Sequence, residues 1–243
     1  MTTCRKALRL PARQSNQRSF EDWIEWAFSH PAADAGFTWD RENDAVGISA
    51  GTAVMFLTQM FETPEKYLGS YSDTKVNNGL WFLVSETFFD GFSALLNPSV
   101  PLIRRQRCAH SIFNLFQEYF ASRCSMALGH LDKTGFKPLN EVCYMWWDFL
   151  HHSDLHWEYC VENGIVLHPA CTGVYDDLLS VMSKILTLPN DACQESALHG
   201  LGHWHKRRPT QVAAIIDHFL NRTPNIRPDL RAYAVHARAG GVL

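Results

Sequence analysis

With 243 residues, of which 46% are hydrophobic and 12% aromatic, the chain has enough apolar surface to bury a core, which excludes an intrinsically disordered polymer. Only 19% are charged and the formal net charge is −3, which excludes a general nucleic-acid binder, whose basic surface must displace counterions. Eleven prolines and 14 glycines without a period exclude collagen-like and low-complexity architectures.

In chain order, residues 1–18 carry Arg5, Lys6, Arg9, Arg13 and Arg18 and no acid. No apolar run follows, so a basic arm is expected there, not a secretory signal. Phe20, Trp23, Ile24, Ala27 and Phe28 recur at helical spacing, with Ser19 placed to cap and Pro31 just beyond. Ala45–Phe61 has no charge but holds Ser49, Thr52, Thr58 and Gln59, and it falls short of the ~20 apolar residues of a membrane span. A buried helix is expected. Ala109, Ile112, Phe113, Phe116, Tyr119 and Phe120 repeat the pattern, as do Leu178, Met182, Ile185 and Leu186. Pro209 opens a helix carrying Val212, Ile215, Ile216, Phe219 and Leu220. Pro228 opens a last one burying Leu230, Tyr233, Ala234 and Ala237, which Gly240–Gly241 end.

Alternating strand patterns are absent, so the expected fold class is all-α, with about nine or ten helices of ordinary length. The breakers between helices are too short to be linkers between independent units, so residues 19–243 read as one α-helical domain. Seven scattered cysteines without a Cys-x-x-Cys fit reduced thiols in a cytoplasmic setting. Charge is uneven. Residues 19–100 hold twelve acids against three bases, a net of −9, and residues 204–243 hold seven bases against two acids, a net of +5. Such polarity can steer a charged partner, or the two faces can complement each other within the monomer.

Residues 190–221 combine small residues (Ala192, Ala197, Gly200, Gly202) with Leu198 and Leu201, and then the Pro209 helix. This pairing resembles one HEAT-type helical hairpin, whose repeats run to about forty residues, and it implies hairpins packed side by side in an α-solenoid manner. Leu128-Gly129-His130 echoes Leu201-Gly202-His203, but the flanks do not align as a repeat. The run Cys143-Tyr144-Met145-Trp146-Trp147-Asp148 is similar to an uncharacterised bacterial helical family, a likeness that implies no known activity.

Glu195, His199 and His203 recur at i, i+4, i+8 on one helical face. Two imidazoles one turn apart can share a metal ion, and a divalent metal such as zinc is the cofactor this reading implies. Glu195 is the acidic candidate ligand; His205 lies about 200° around the helix from His203. The other reading has no cofactor, the two imidazoles bonding to backbone or to acids on neighbouring helices. A second cluster comprises His151, His152, Asp154, His156, Glu158 and Cys160, with His152 and His156 again at i, i+4. Asp176-Asp177 fits a helix start. No His-Glu-x-x-His, Gly-x-Ser-x-Gly or glycine-rich phosphate loop is present.

Trp146 and Trp147 are candidate partner anchors, or core residues between helices. Lys206-Arg207-Arg208 before Pro209 is a candidate contact for a phosphate or acidic partner, or a stabiliser of the preceding helix end. The leading expectation is a non-catalytic helical scaffold that binds a protein partner of basic character. A cytosolic immunity protein neutralising a basic toxin is its specific form. The alternative is a metal-dependent helical enzyme using Glu195, His199 and His203, joined by His152 or His156. A third is a helical subunit of a larger assembly. Neither a nucleic acid nor a membrane is an expected partner.

Overall fold

Serine side chains open the first two long helices. Ser19 Oγ accepts the Asp22 N–H at 3.1 Å before α1 (Phe20–Phe28), and Ser49 Oγ accepts the Thr52 N–H at 3.1 Å before α2 (Ala50–Glu62). The computed structural model describes residues 19–29, 48–84, 93–148 and 173–242. Along them follow α3 (Pro64–Leu68), α4 (Asp73–Val84), α5 (Ser93–Leu96), α6 (Leu102–Asn114), α7 (Leu139–Tyr144), α8 (Tyr175–Ile185), α9 (Asp191–Trp204), α10 (Pro209–Arg222) and α11 (Pro228–Arg238). The described residues are thus all-helical, with 11 helices and no strand. None of these helices is long and apolar enough to cross a membrane.

The expected stripes are the buried ones. All five apolar residues named for α1 are buried, as are the four named for α11, and Gly240 ends α11 at φ +83, a backbone region that glycine enters without strain. On the Pro209 helix, Val212, Ile216 and Phe219 are buried, while Ile215 and Leu220 are partly so. Helix α6 runs on through a π-helical stretch, Leu115–Phe120, and a last turn, Ala121–Arg123. The wider π turn puts Leu115, Phe116, Tyr119 and Phe120 all into the core, where each large side chain contributes roughly 1.5–3 kcal/mol.

Helices α2 and α8 both pack on α6, α1 packs on α4, and α4 on α7. At the centre lies α9, in contact with α7, α8, α10 and α11. Twelve of its 14 residues are buried, so its polar side chains must find partners inside the protein. Asn190 Oδ1 caps it by accepting the Cys193 N–H at 3.1 Å, while Asn190 Nδ2 donates to the Ala121 and Cys124 carbonyls at 3.3 Å. Gln194 Nε2 donates to Leu188 O at 2.7 Å, and Ser196 Oγ donates to Cys143 O. One apolar cluster joins residues from Phe20 to Ala237 around this helix.

The acidic stretch is partly neutralised within the chain. Glu62 pairs with Arg107 at 2.6 Å, and Arg123 bridges Glu65 at 2.8 Å and Asp73 at 3.1 Å. At the basic end Arg238 pairs with Asp217 at 2.6 Å and Arg227 with Asp132 at 2.8 Å. Residues 1–18 and the second histidine cluster, His151, His152, Asp154, His156, Glu158 and Cys160, lie outside the described residues, as do Cys4 and Cys171. Cys108, Cys124, Cys143 and Cys193 are buried free thiols.

Candidate metal centre

One helical turn separates His199 from His203, so their rings emerge from the same face of α9, with centroids 4.7 Å apart. The acid that meets them is Asp148, not Glu195. After α7 the chain tightens into a 3₁₀ turn, Met145–Trp147, whose two indoles are fully buried. Trp147 stacks on Phe116, with centroids 6.0 Å apart, and packs against α9 at Gly200, where a Cβ would come within 2.6 Å of its ring. Trp146 meets Phe61, Phe116 and Phe120 edge-on. These contacts fix the turn against α9, and the next side chain, Asp148, is delivered to the histidine face. The tryptophans considered as partner anchors are therefore core residues, and at 0% exposure neither reaches a surface that a partner could touch.

Asp148 Oδ1 lies 2.7 Å from His199 Nε2 and 2.9 Å from His203 Nε2, and the two Nε2 atoms are 3.1 Å apart. The site is mostly buried, with side-chain exposures of 5% for His199, 13% for Asp148 and 16% for His203. Burial by itself pushes the Asp148 carboxyl up. Hydrogen bonds from His199 and His203 and their positive charge outweigh it, and hold the group well below the usual carboxylate range.

An ionised carboxylate oxygen accepts two hydrogens, so without a metal both Nε2–H groups can donate to Asp148 Oδ1. In that state the two donor nitrogens sit 3.1 Å apart beside one acceptor. With no proton, three lone pairs converge. A cation among the three atoms satisfies all of them at once. Cis ligands of an octahedron with bonds of about 2.1 Å lie about 3.0 Å apart, and the edge of the corresponding tetrahedron is about 3.4 Å. The separations of 2.7, 2.9 and 3.1 Å suit ligands sharing one ion, and they are also ordinary hydrogen-bond lengths. Two histidines and one carboxylate on one octahedral face form the donor set of many Fe(II) sites, with the remaining positions open.

Glu195, expected as the acidic ligand, sits one turn earlier on α9 and points its carboxylate elsewhere. It accepts the Gly129 N–H at 2.6 Å and the His130 N–H at 3.1 Å, and it pairs with His130 Nδ1 at 2.5 Å. Helical side chains lean toward their own N-terminus, so Glu195 reaches the 128–132 loop and not the histidines that follow it. His205 packs over Gly240, away from the centre.

Around the centre, His199 Nδ1 pairs with the Tyr233 hydroxyl at 2.7 Å, and the Tyr144 ring lies 4.5 Å from the His199 ring. Burial pushes the Tyr144 phenol up to about 12, so it stays protonated. Its other side lines an open cavity of about 450 Å³ with Gly129, Phe136 and Lys137. His130 stacks on Tyr233, with centroids 4.4 Å apart and planes at 15°.

The basic run lies apart, in the turn from α9 to α10. Arg207 spreads over Trp204 at 5.4 Å and Tyr175 at 5.8 Å, and burial pulls its guanidinium down to about 10. Arg208 reaches Asp176 at 3.6 Å, and Lys206 is exposed. Asp176 and Asp177 fall in the first turn of α8, and Asp177 also meets His110 at 2.9 Å. Compared with known proteins, the chain matches no family model, no curated protein and no solved structure.

Proposed function

We propose that this chain is a metal-dependent helical protein that binds one divalent first-row transition-metal ion through Asp148, His199 and His203. The observation that carries the reading is the triangle of Asp148 Oδ1 and two Nε2 atoms, 2.7, 2.9 and 3.1 Å on a side, three ligand atoms converging in a mostly buried place where a cation can take all of them. Three ligands leave coordination positions for water or substrate, the arrangement of a Lewis-acid or oxygen-activating centre and not of a closed structural site. Iron(II), manganese(II) and zinc(II) all accept this donor set. Elemental analysis of protein purified without chelator tests the proposal. About one equivalent of metal supports it; no metal, and no shift in melting temperature on adding any of the three ions, contradicts it.

A protein-binding role, of which an immunity protein is one form, is the second reading. Its support is the exposed apolar side chains of Met55 (53%) and Ile103 (72%), with Arg104 and Met55 bordering a groove of about 350 Å³. The HEAT-like pairing of residues 190–221 belongs with it, since α9 and α10 are consecutive packed helices. Solution mass measurement and pull-down with the intact chain test it, and Ile103→Asp abolishing capture of a stoichiometric partner is the supporting result.

A further inference from the structure

An imidazole binds a metal through one nitrogen, and the partner of its other nitrogen decides which tautomer is present. At His199 that partner is Tyr233, 2.7 Å from Nδ1. The tyrosine oxygen could donate to Nδ1 or accept from it, and the use of Nε2 as a ligand decides. A metal on Nε2 takes that nitrogen's lone pair, so the imidazole carries its hydrogen on Nδ1, and Tyr233 is the group 2.7 Å away that can accept it. The Tyr233 ring is itself held. It is buried on α11 and stacks flat on His130, whose Nδ1 is gripped by the fully buried Glu195 carboxylate. Glu195 also takes the backbone N–H groups of Gly129 and His130, so one carboxylate ties both the loop and the ring.

We infer that Tyr233 is a positioning residue for the centre: its hydroxyl accepts the Nδ1–H of His199 and so leaves Nε2 for an ion shared with Asp148 and His203. Glu195 and His130 form the base on which Tyr233 rests. This gives Glu195, on the same helical face as both histidines, a part in the site without being a ligand. The inference rests on reading Asp148, His199 and His203 as a metal centre.

Two measurements on the full chain separate the inference from that reading. Nitrogen-15 spectra of the histidine rings in chelator-treated protein are expected to show His199 protonated at Nδ1, shifting toward the Nε2-protonated form in Tyr233→Phe. Cobalt(II) titration is expected to show affinity falling about 10–100-fold in Tyr233→Phe, and by far more in His203→Ala. Phenylalanine keeps the ring on His130, so a general loss of packing is not the expected cause, and circular dichroism checks it. Wild-type tautomer and affinity in Tyr233→Phe would overturn the inference and leave the metal reading standing. A His199 with hydrogen on Nε2 and none on Nδ1 in the unsubstituted protein overturns it without any variant. Failure of the unsubstituted protein to bind cobalt(II) overturns both.

Discussion

Asp148 and His199 meet at 2.7 Å across 51 positions of sequence. The contact depends on a glycine, because Trp147, next to Asp148 in the chain, lies where a side chain at position 200 would be. An added Cβ there would come within 2.6 Å of the Trp147 ring and 2.7 Å of Met182 Sδ.

Gly200→Ala is accordingly expected to destabilise the protein. Alanine is the better helix former by about 1 kcal/mol, but overpacking a closed core costs about 1–3 kcal/mol and here involves an indole that cannot yield cheaply. Thermal unfolding followed by circular dichroism should show a lower midpoint, with metal affinity reduced because the turn bearing Asp148 is displaced. An unchanged midpoint would mean that α9 and the 3₁₀ turn are not packed this tightly.

Glu195→Ala separates a supporting role from a ligand role. Removing the carboxylate leaves the Gly129 and His130 N–H groups without their acceptor beneath α9, a loss of about 2–4 kcal/mol measured by urea unfolding. Metal stoichiometry should be retained at temperatures where the variant is folded. Loss of the bound ion from a folded Glu195→Ala protein would restore Glu195 to the ligand set.

Much of the fold was legible in the sequence. Helical spacing identified the buried stripes of α1 and α11 because amphipathic helices on a core repeat their apolar residues every three or four positions. The histidine pair was legible for the same reason, since i, i+4 on one helix fixes both rings without any tertiary information. Asp148 was not. It reaches the site through a 3₁₀ turn held by Trp146 and Trp147, and no local pattern reveals which distant segment packs against a helix face. Glu195 fitted the spacing and still pointed elsewhere, because the direction in which a side chain leans decides its partner as much as its register does. Tyr233 and His130 met through tertiary packing alone, which no local pattern reveals.

The loop carrying His130 gives a pH prediction. Asp132 accepts the Leu128 N–H at 2.8 Å and a two-pronged contact from Arg227 at 2.8 and 2.9 Å. The Arg227 guanidinium holds its carboxyl down at about 2, against an ordinary value of 3.8. A carboxyl depressed by folding contributes stability above its unfolded value and loses it as pH falls through the folded one. The midpoint should therefore decline between about pH 4 and pH 2, and Asp132→Asn should flatten that part of the curve and lower the plateau at neutral pH. The contribution is modest, because the pair is partly open to solvent. An acid limb identical in the variant and the parent would assign the decline to other carboxylates.

Isothermal titration of the chelator-treated protein with manganese(II) or zinc(II), run in parallel on Asp148→Ala and Glu195→Ala, tests the central claim most directly. The expected result is one site in the unsubstituted protein, one site in Glu195→Ala, and none in Asp148→Ala. No binding by the unsubstituted protein, or an unchanged isotherm in Asp148→Ala, would contradict the assignment of Asp148, His199 and His203 as a metal centre.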